Sequence, residues 1–105
     1  PNASVLIIST ADKSSKIDGV MKTNRAVVPL AKSQEAFARD TKCGFINLYE
    51  LMGGEGSMKE WVEATPSLAS KDYTHFNAKG AKKVAHLLYN KLMEEYHAQY
   101  QKNNK

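Results

Sequence analysis

Asp72 stands three residues before His75 in the stretch "KDYTHFNAKG", Lys71 to Gly80. A histidine that works as a general base needs one ring nitrogen facing the nucleophile and its other ring N–H held in place. A carboxylate does that holding and stabilises the imidazolium once it forms. The Asp-x-x-His spacing lets one short loop fix both groups, and a helix opening at Asn77 would anchor that loop. A plainer arrangement fits too: Asp72 caps a local turn and His75 is a part-buried polar side chain. Spacing alone favours the plainer one.

A histidine base needs a nucleophile. The serines available are Ser4, Ser9, Ser14, Ser15, Ser33, Ser57, Ser67 and Ser70. "GEGSMKE" is no Gly-x-Ser-x-Gly elbow, because Lys59 stands where the last glycine belongs. The glycine-rich "MGGEGSM" lacks the Gly-Lys-Ser/Thr ending of a phosphate loop, so a mobile loop bordering a cleft is expected there. Ser57 is placed either to cap the helix that carries Trp61 or to line the cleft. Trp61 itself suits a substrate pocket or the core. Asp12, after the first apolar run, either lines the cleft or is a loop carboxylate with no special task. His86 and His97 lie eleven residues apart on one helix, three turns that a single metal ion does not bridge, so no metal site is expected. Cys43, beside Gly44, is expected as a small buried filler. No feature calls for a cofactor.

The elements that must position Asp72 and His75 follow in order. "SVLIIS" (Ser4–Ser9) is a continuous β-branched run, the pattern of a strand covered on both faces in a parallel sheet. The polar stretch from Thr10 to Gly19 is expected as a loop at its C-terminal end. From about Asn24 to Asp40, Leu30, Ala31, Phe37 and Ala38 give one apolar helical face, with Pro29 tolerated only in the first turn. "GFINLY" (Gly44–Tyr49) is a second strand, completing a right-handed βαβ unit. "KEWVEA" (Lys59–Ala64) predicts a short helix stopped before Pro66. Ala81, Val84, Ala85, Leu88, Leu92 and Tyr96 form one stripe of a long C-terminal helix, capped by Asn77. The "QKNNK" tail, 101–105, should fray.

Two parallel strands with apolar residues on both faces do not make a stable sheet by themselves. The chain is therefore expected to be the second half of an α/β domain. The missing strands would come from a removed half or from a partner that shares its strands. Pro1, which is not an initiator residue, points to a chain cut from something longer or processed.

Bulk properties narrow the function. The 105 residues suffice for one domain, and 42% hydrophobic with 25% charged residues is an ordinary globular composition. The net charge of +4 comes from scattered lysines with no basic run interleaved with aromatics, so no nucleic-acid site is expected. Val5 to Ile8, the longest strongly apolar run, is too short to span a bilayer, and the sequence shows no basic–apolar–small signal pattern. One cysteine excludes an internal disulfide framework.

"DYTHFNAKGAKKVAHLLYNKL", with the order of an apolar strand ending in "STADK", a helix, "GFINLY", "MGGEGSM" and a Trp, resembles the C-terminal portion of the SGNH (GDSL-type) hydrolases. The resemblance covers nearly the whole chain and is sharpest over Met52–Trp61 and Asp72–Gly80. It implies that residues 1–100 are the C-terminal half of a flavodoxin-like three-layer α/β/α sandwich with an incomplete parallel sheet. It further implies that His75 is the catalytic base and Asp72 its orienting acid, and that the Gly54, Ser57 and Trp61 region lies near a substrate. The nucleophilic serine and the further oxyanion donors of such enzymes sit in blocks that are absent here.

The expected function is thus part of a serine esterase or acylhydrolase, with an ester substrate such as an acetylated carbohydrate. The chain alone is expected to be inactive. The alternative is a non-catalytic binding or accessory domain that keeps the fold. A secreted or periplasmic location is implied by the resemblance alone.

Overall fold

The computed structural model describes residues 5–103. β1 (Leu6–Ile8) pairs in parallel with β4 (Gly44–Ile46), Leu6 opposite Gly44 and Ile8 opposite Ile46. Between them run a hairpin, β2 (Ser14–Ile17) and β3 (Val20–Thr23), and the crossover helix α1 (Val27–Asp40). After β4 come α2 (Leu48–Met52), α3 (Ser57–Glu63) and α4 (Ala78–Asn103). The fold is mixed α/β with a small, incomplete parallel sheet, compatible with part of a flavodoxin-like sandwich.

The hairpin corrects the expected loop at Thr10–Gly19. Asp18 and Gly19 both adopt positive φ, 52° and 79°, the backbone of a two-residue hairpin turn whose twist matches its strands. The Asp-Gly pair was the available signal. The polar strands around it hid the rest, because neither face of the hairpin is uniformly apolar.

Helix α1 begins at Val27 rather than Asn24. The side chain of Asn24 takes the Ala26 N–H (2.8 Å) and its carbonyl takes that of Val27 (3.0 Å), so Asn24 turns the chain into the helix. Pro29 falls in the first turn, where its missing N–H costs nothing. Val27, Ala31 and Ala38 are buried against the two-stranded sheet, while Leu30 (47% exposed) and Phe37 (60%) are not covered. Val5, Leu6 and Ile8 are also exposed. A two-stranded sheet is too narrow to cover the apolar surface that this unit presents.

The core lies among the later helices: Leu48, Met52, Met58, Trp61 and Ala69 are buried, with Tyr73, Phe76, Val84, Leu87 and Leu88 packed around them. Burying a side chain such as Met58 is worth roughly 1.5–3 kcal/mol. α4 therefore packs by its Val84–Leu87–Leu88 face. Ala81, Ala85, Leu92 and Tyr96 of the expected stripe stay exposed. The helix also continues through the first three residues of the tail expected to fray; 104 and 105 lie outside the described residues. The second apolar run is a strand only to Ile46. Asn47 then caps α2, accepting from the Glu50 N–H (3.0 Å). Cys43 is half-buried, with the Thr41 hydroxyl 3.2 Å from its sulfur, so it is not the buried filler expected.

Candidate functional site

The Asp72–His75 loop is tied down at both ends. Ala69 bridges Phe76 across it, the Ser70 N–H donates to the His75 carbonyl (2.8 Å), and the Tyr73 N–H donates to Ser70 (3.0 Å). Tyr73 turns the chain with φ of 58°. Behind the loop, the Asn77 side chain caps α4 by accepting from the Gly80 N–H (2.9 Å) and donates to the Ser67 carbonyl (2.7 Å). Gly80 is buried, and a Cβ there would overlap the Leu68 carbonyl oxygen, so only glycine lets α4 approach this closely. The last two residues of "KDYTHFNAKG" that looked like helix signals are thus also what hold the loop.

Within the loop, one oxygen of Asp72 accepts the backbone N–H groups of Thr74 (2.9 Å) and His75 (3.0 Å). The other oxygen lies 2.6 Å from His75 Nδ1. Asp72 therefore both caps the turn and contacts the imidazole. The His75 ring hydrogen bond, followed by the two amides, holds the Asp72 carboxyl down at about 2. His75 is not part-buried: its side chain is 76% exposed and that of Asp72 49%. With Nδ1 engaged, Nε2 is the nitrogen available to a reacting group.

The loop is joined to the start of β2, where the N–H of Ser14 donates to the Tyr73 carbonyl (2.9 Å). Ser9, at the end of β1, accepts from the Leu48 N–H (2.8 Å) and so binds the loops after both parallel strands together.

The other residues singled out have structural work. Gly54 closes α2, its N–H donating to the Tyr49 carbonyl (2.9 Å) at φ of 79°. Ser57 is buried and is the first residue of α3, which is capped through Gly56 with no side-chain cap bond, so Ser57 is not the cap. Trp61 is 4% exposed, donates from Nε1 to the Met52 carbonyl (3.1 Å), and packs against Phe76, the neighbour of His75, with ring centroids 5.4 Å apart and planes tilted by 50°. It belongs to the floor beneath the loop. None of these three hydrogen-bonds to Asp72 or His75 among the described residues.

The C-terminal end of the glycine-rich segment is hydrogen-bonded to the hairpin and to the loop before it. The Gly56 N–H donates to the Thr23 hydroxyl (2.8 Å) and the Met58 N–H to Asp12 Oδ2 (2.9 Å). Asp12 is fully buried, and burial pushes its carboxyl up against the opposing pull of the Met58 amide. It is therefore a tertiary cap for α3 and not a cleft-lining group. Among the described residues no group of three His, Cys, Asp or Glu side chains could hold a metal ion, and no helix is long and apolar enough to cross a membrane.

These features define an incomplete α/β domain that carries an oriented, exposed His–Asp pair. The chain is similar in structure to a peptidoglycan O-acetylesterase, with a TM-score of 0.81 and 28% sequence identity over 93% of its length. It spans 28% of that protein. The fold is thus esterase-related. A scan against protein-family models gives no match, and neither does a search of curated proteins.

Proposed function

We propose that this chain supplies the His–Asp arm of an SGNH-type serine ester hydrolase that removes acetyl groups from carbohydrate. The nucleophilic serine and the further oxyanion donors would come from polypeptide outside these 105 residues. His75 Nε2 takes the serine proton as the hydroxyl attacks the ester carbonyl, then returns a proton to the departing sugar hydroxyl. Asp72 keeps the ring in the tautomer with Nδ1–H and stabilises the imidazolium formed midway. A water molecule activated by the same nitrogen then releases acetate. The observation that carries this reading is the 2.6 Å contact between Asp72 and Nδ1 on a loop whose backbone Asp72 also fixes. The likeness to a peptidoglycan O-acetylesterase supports the acetyl-ester chemistry.

The test uses the full product of the gene together with the 105-residue chain. The full product should hydrolyse p-nitrophenyl acetate, and His75→Ala should lower its kcat by about 10³–10⁴-fold. The 105-residue chain should show no turnover above that of its own His75→Ala variant. An unchanged kcat in the full-length His75→Ala protein would overturn the role of His75. Turnover by the short chain that depends on His75 would overturn the external nucleophile.

A further inference from the structure

We infer that Asp12 is a positioning residue for His75, holding the His–Asp loop from both sides through Ser14 and α3. This inference rests on the hydrolase reading above and adds a residue to its machinery. Asp12 is fully buried, and the proposed reaction gives it no part of its own. Its contacts run to the ends of two helices. Oδ2 accepts the Met58 N–H (2.9 Å) in the first turn of α3, and the Asp12 N–H meets the Met52 sulfur (3.4 Å) at the end of α2.

From this anchor two short paths lead to the loop, and they arrive on either side of His75. The first follows the main chain. Ser14, two residues after Asp12, donates its N–H to the Tyr73 carbonyl (2.9 Å). Tyr73 is the residue at positive φ (58°) that turns the chain just after Asp72. The second path runs through α3. Trp61 donates from Nε1 to the carbonyl of Met52 (3.1 Å), the residue whose sulfur meets Asp12. Its ring packs against Phe76, which follows His75 directly.

His75 depends on this support because its side chain is 76% exposed. Solvent rather than packed side chains surrounds most of the ring, so the loop backbone decides where it stands. Losing the Asp12 acceptor orphans a buried amide, and relief of that cost moves residues 12–14, α3 or both. Either movement reaches the loop, at Tyr73 or at Phe76. A misplacement of about 1 Å in a catalytic group costs about 10²-fold in rate.

The test uses the full gene product on p-nitrophenyl acetate, with each variant assayed below its own measured Tm. Asp12→Asn keeps an acceptor for the Met58 N–H. The kcat of Asp12→Ala should lie about 10–100-fold below that of Asp12→Asn, with KM values within about twofold of each other. Ser14→Pro removes the N–H that reaches Tyr73 and leaves Asp12 in place, at the first residue of a strand, where proline is tolerated. Its kcat should fall about tenfold or more below that of Ser14→Ala, which keeps the N–H. If Asp12→Ala fails to fold, the Ser14 pair decides.

The ring ¹⁵N shifts of His75 give a readout that needs no turnover. With the ring neutral and Nδ1–H held by Asp72, the Nδ1 and Nε2 signals should be well separated. The separation should shrink in Asp12→Ala and Ser14→Pro and persist in Asp12→Asn. Equal kcat in the two Asp12 variants, Ser14→Pro no slower than Ser14→Ala, or unchanged ring shifts throughout would each overturn the positioning role. Failure of the unaltered product on p-nitrophenyl acetate would instead remove the hydrolase reading, and the ring shifts would still decide whether Asp12 positions His75.

Discussion

Gly80→Ala gives the sharpest test of how the site is held, because two simple arguments predict opposite signs. Helix propensity alone predicts that alanine stabilises α4 by about 1 kcal/mol over glycine. Tertiary contact predicts the reverse. A Cβ at position 80 would overlap the Leu68 carbonyl oxygen and lie 2.8 Å from its carbon, and backbone atoms have no rotamer through which to step aside. Relief requires α4 to withdraw from Ser67–Ala69, stretching the bonds from Asn77 to the Leu68 carbonyl (3.2 Å) and the Ser67 carbonyl (2.7 Å). Each such bond is worth about 1 kcal/mol and overpacking costs about 1–3 kcal/mol more, so the net loss after the propensity gain is about 2–4 kcal/mol. For a chain of this size that lowers Tm by roughly 10–30 °C. Thermal unfolding followed by circular dichroism measures it, and the amide shifts of Thr74 and His75 report whether the loop moves with the helix. A Gly80→Ala protein with equal or higher Tm and unchanged loop shifts would refute the argument.

Two titratable groups give further predictions. Asp72, with its folded carboxyl held down at about 2, contributes its loop-fixing bonds above the unfolded value of 3.8 and loses them as pH falls through about 2. A carbon-detected titration should therefore place the Asp72 midpoint near 2, and a midpoint near 4 would contradict the hydrogen-bonded geometry. Asp12 has the opposite sign. Its folded carboxyl is raised, so its favourable contribution is complete below 3.8 and is lost as pH rises through the folded value. Asp12→Asn keeps an acceptor for the Met58 N–H without the buried charge and should leave Tm at pH 7 unchanged or higher. Asp12→Ala, which orphans that amide, should cost about 1–2 kcal/mol. Equal destabilisation by the two substitutions would remove the capping role.

The parts legible in advance were those whose signal is local. The β-branched run around Ile7 and the apolar run at Phe45 form the parallel pair, Pro29 sits in a first turn, and Asn77 caps α4. The hairpin is hidden in the sequence because its Asp-Gly turn lies among polar residues with no apolar face to mark strands. Trp61, left between pocket and core, is core because Phe76 and the Met52 carbonyl meet it from distant parts of the chain. Asp12 gave no local sign of capping a helix that starts 45 residues later, since the partner amide belongs to Met58.

By itself the sequence determined that a carboxylate and an imidazole share one short loop, three residues apart, ahead of a capped helix. Chain connectivity guarantees that proximity. It does not guarantee that one carboxylate oxygen faces Nδ1 while the other collects two amides, which follows from the turn at Tyr73 and the anchoring of both ends of the loop. That anchoring is non-local: Ser14 holds the Tyr73 carbonyl, Phe76 packs on Trp61, and Gly80 lies against Leu68. Each contact joins segments whose separation along the chain makes their meeting unreadable from local pattern. Spacing made the His–Asp pair available; packing gave it one geometry.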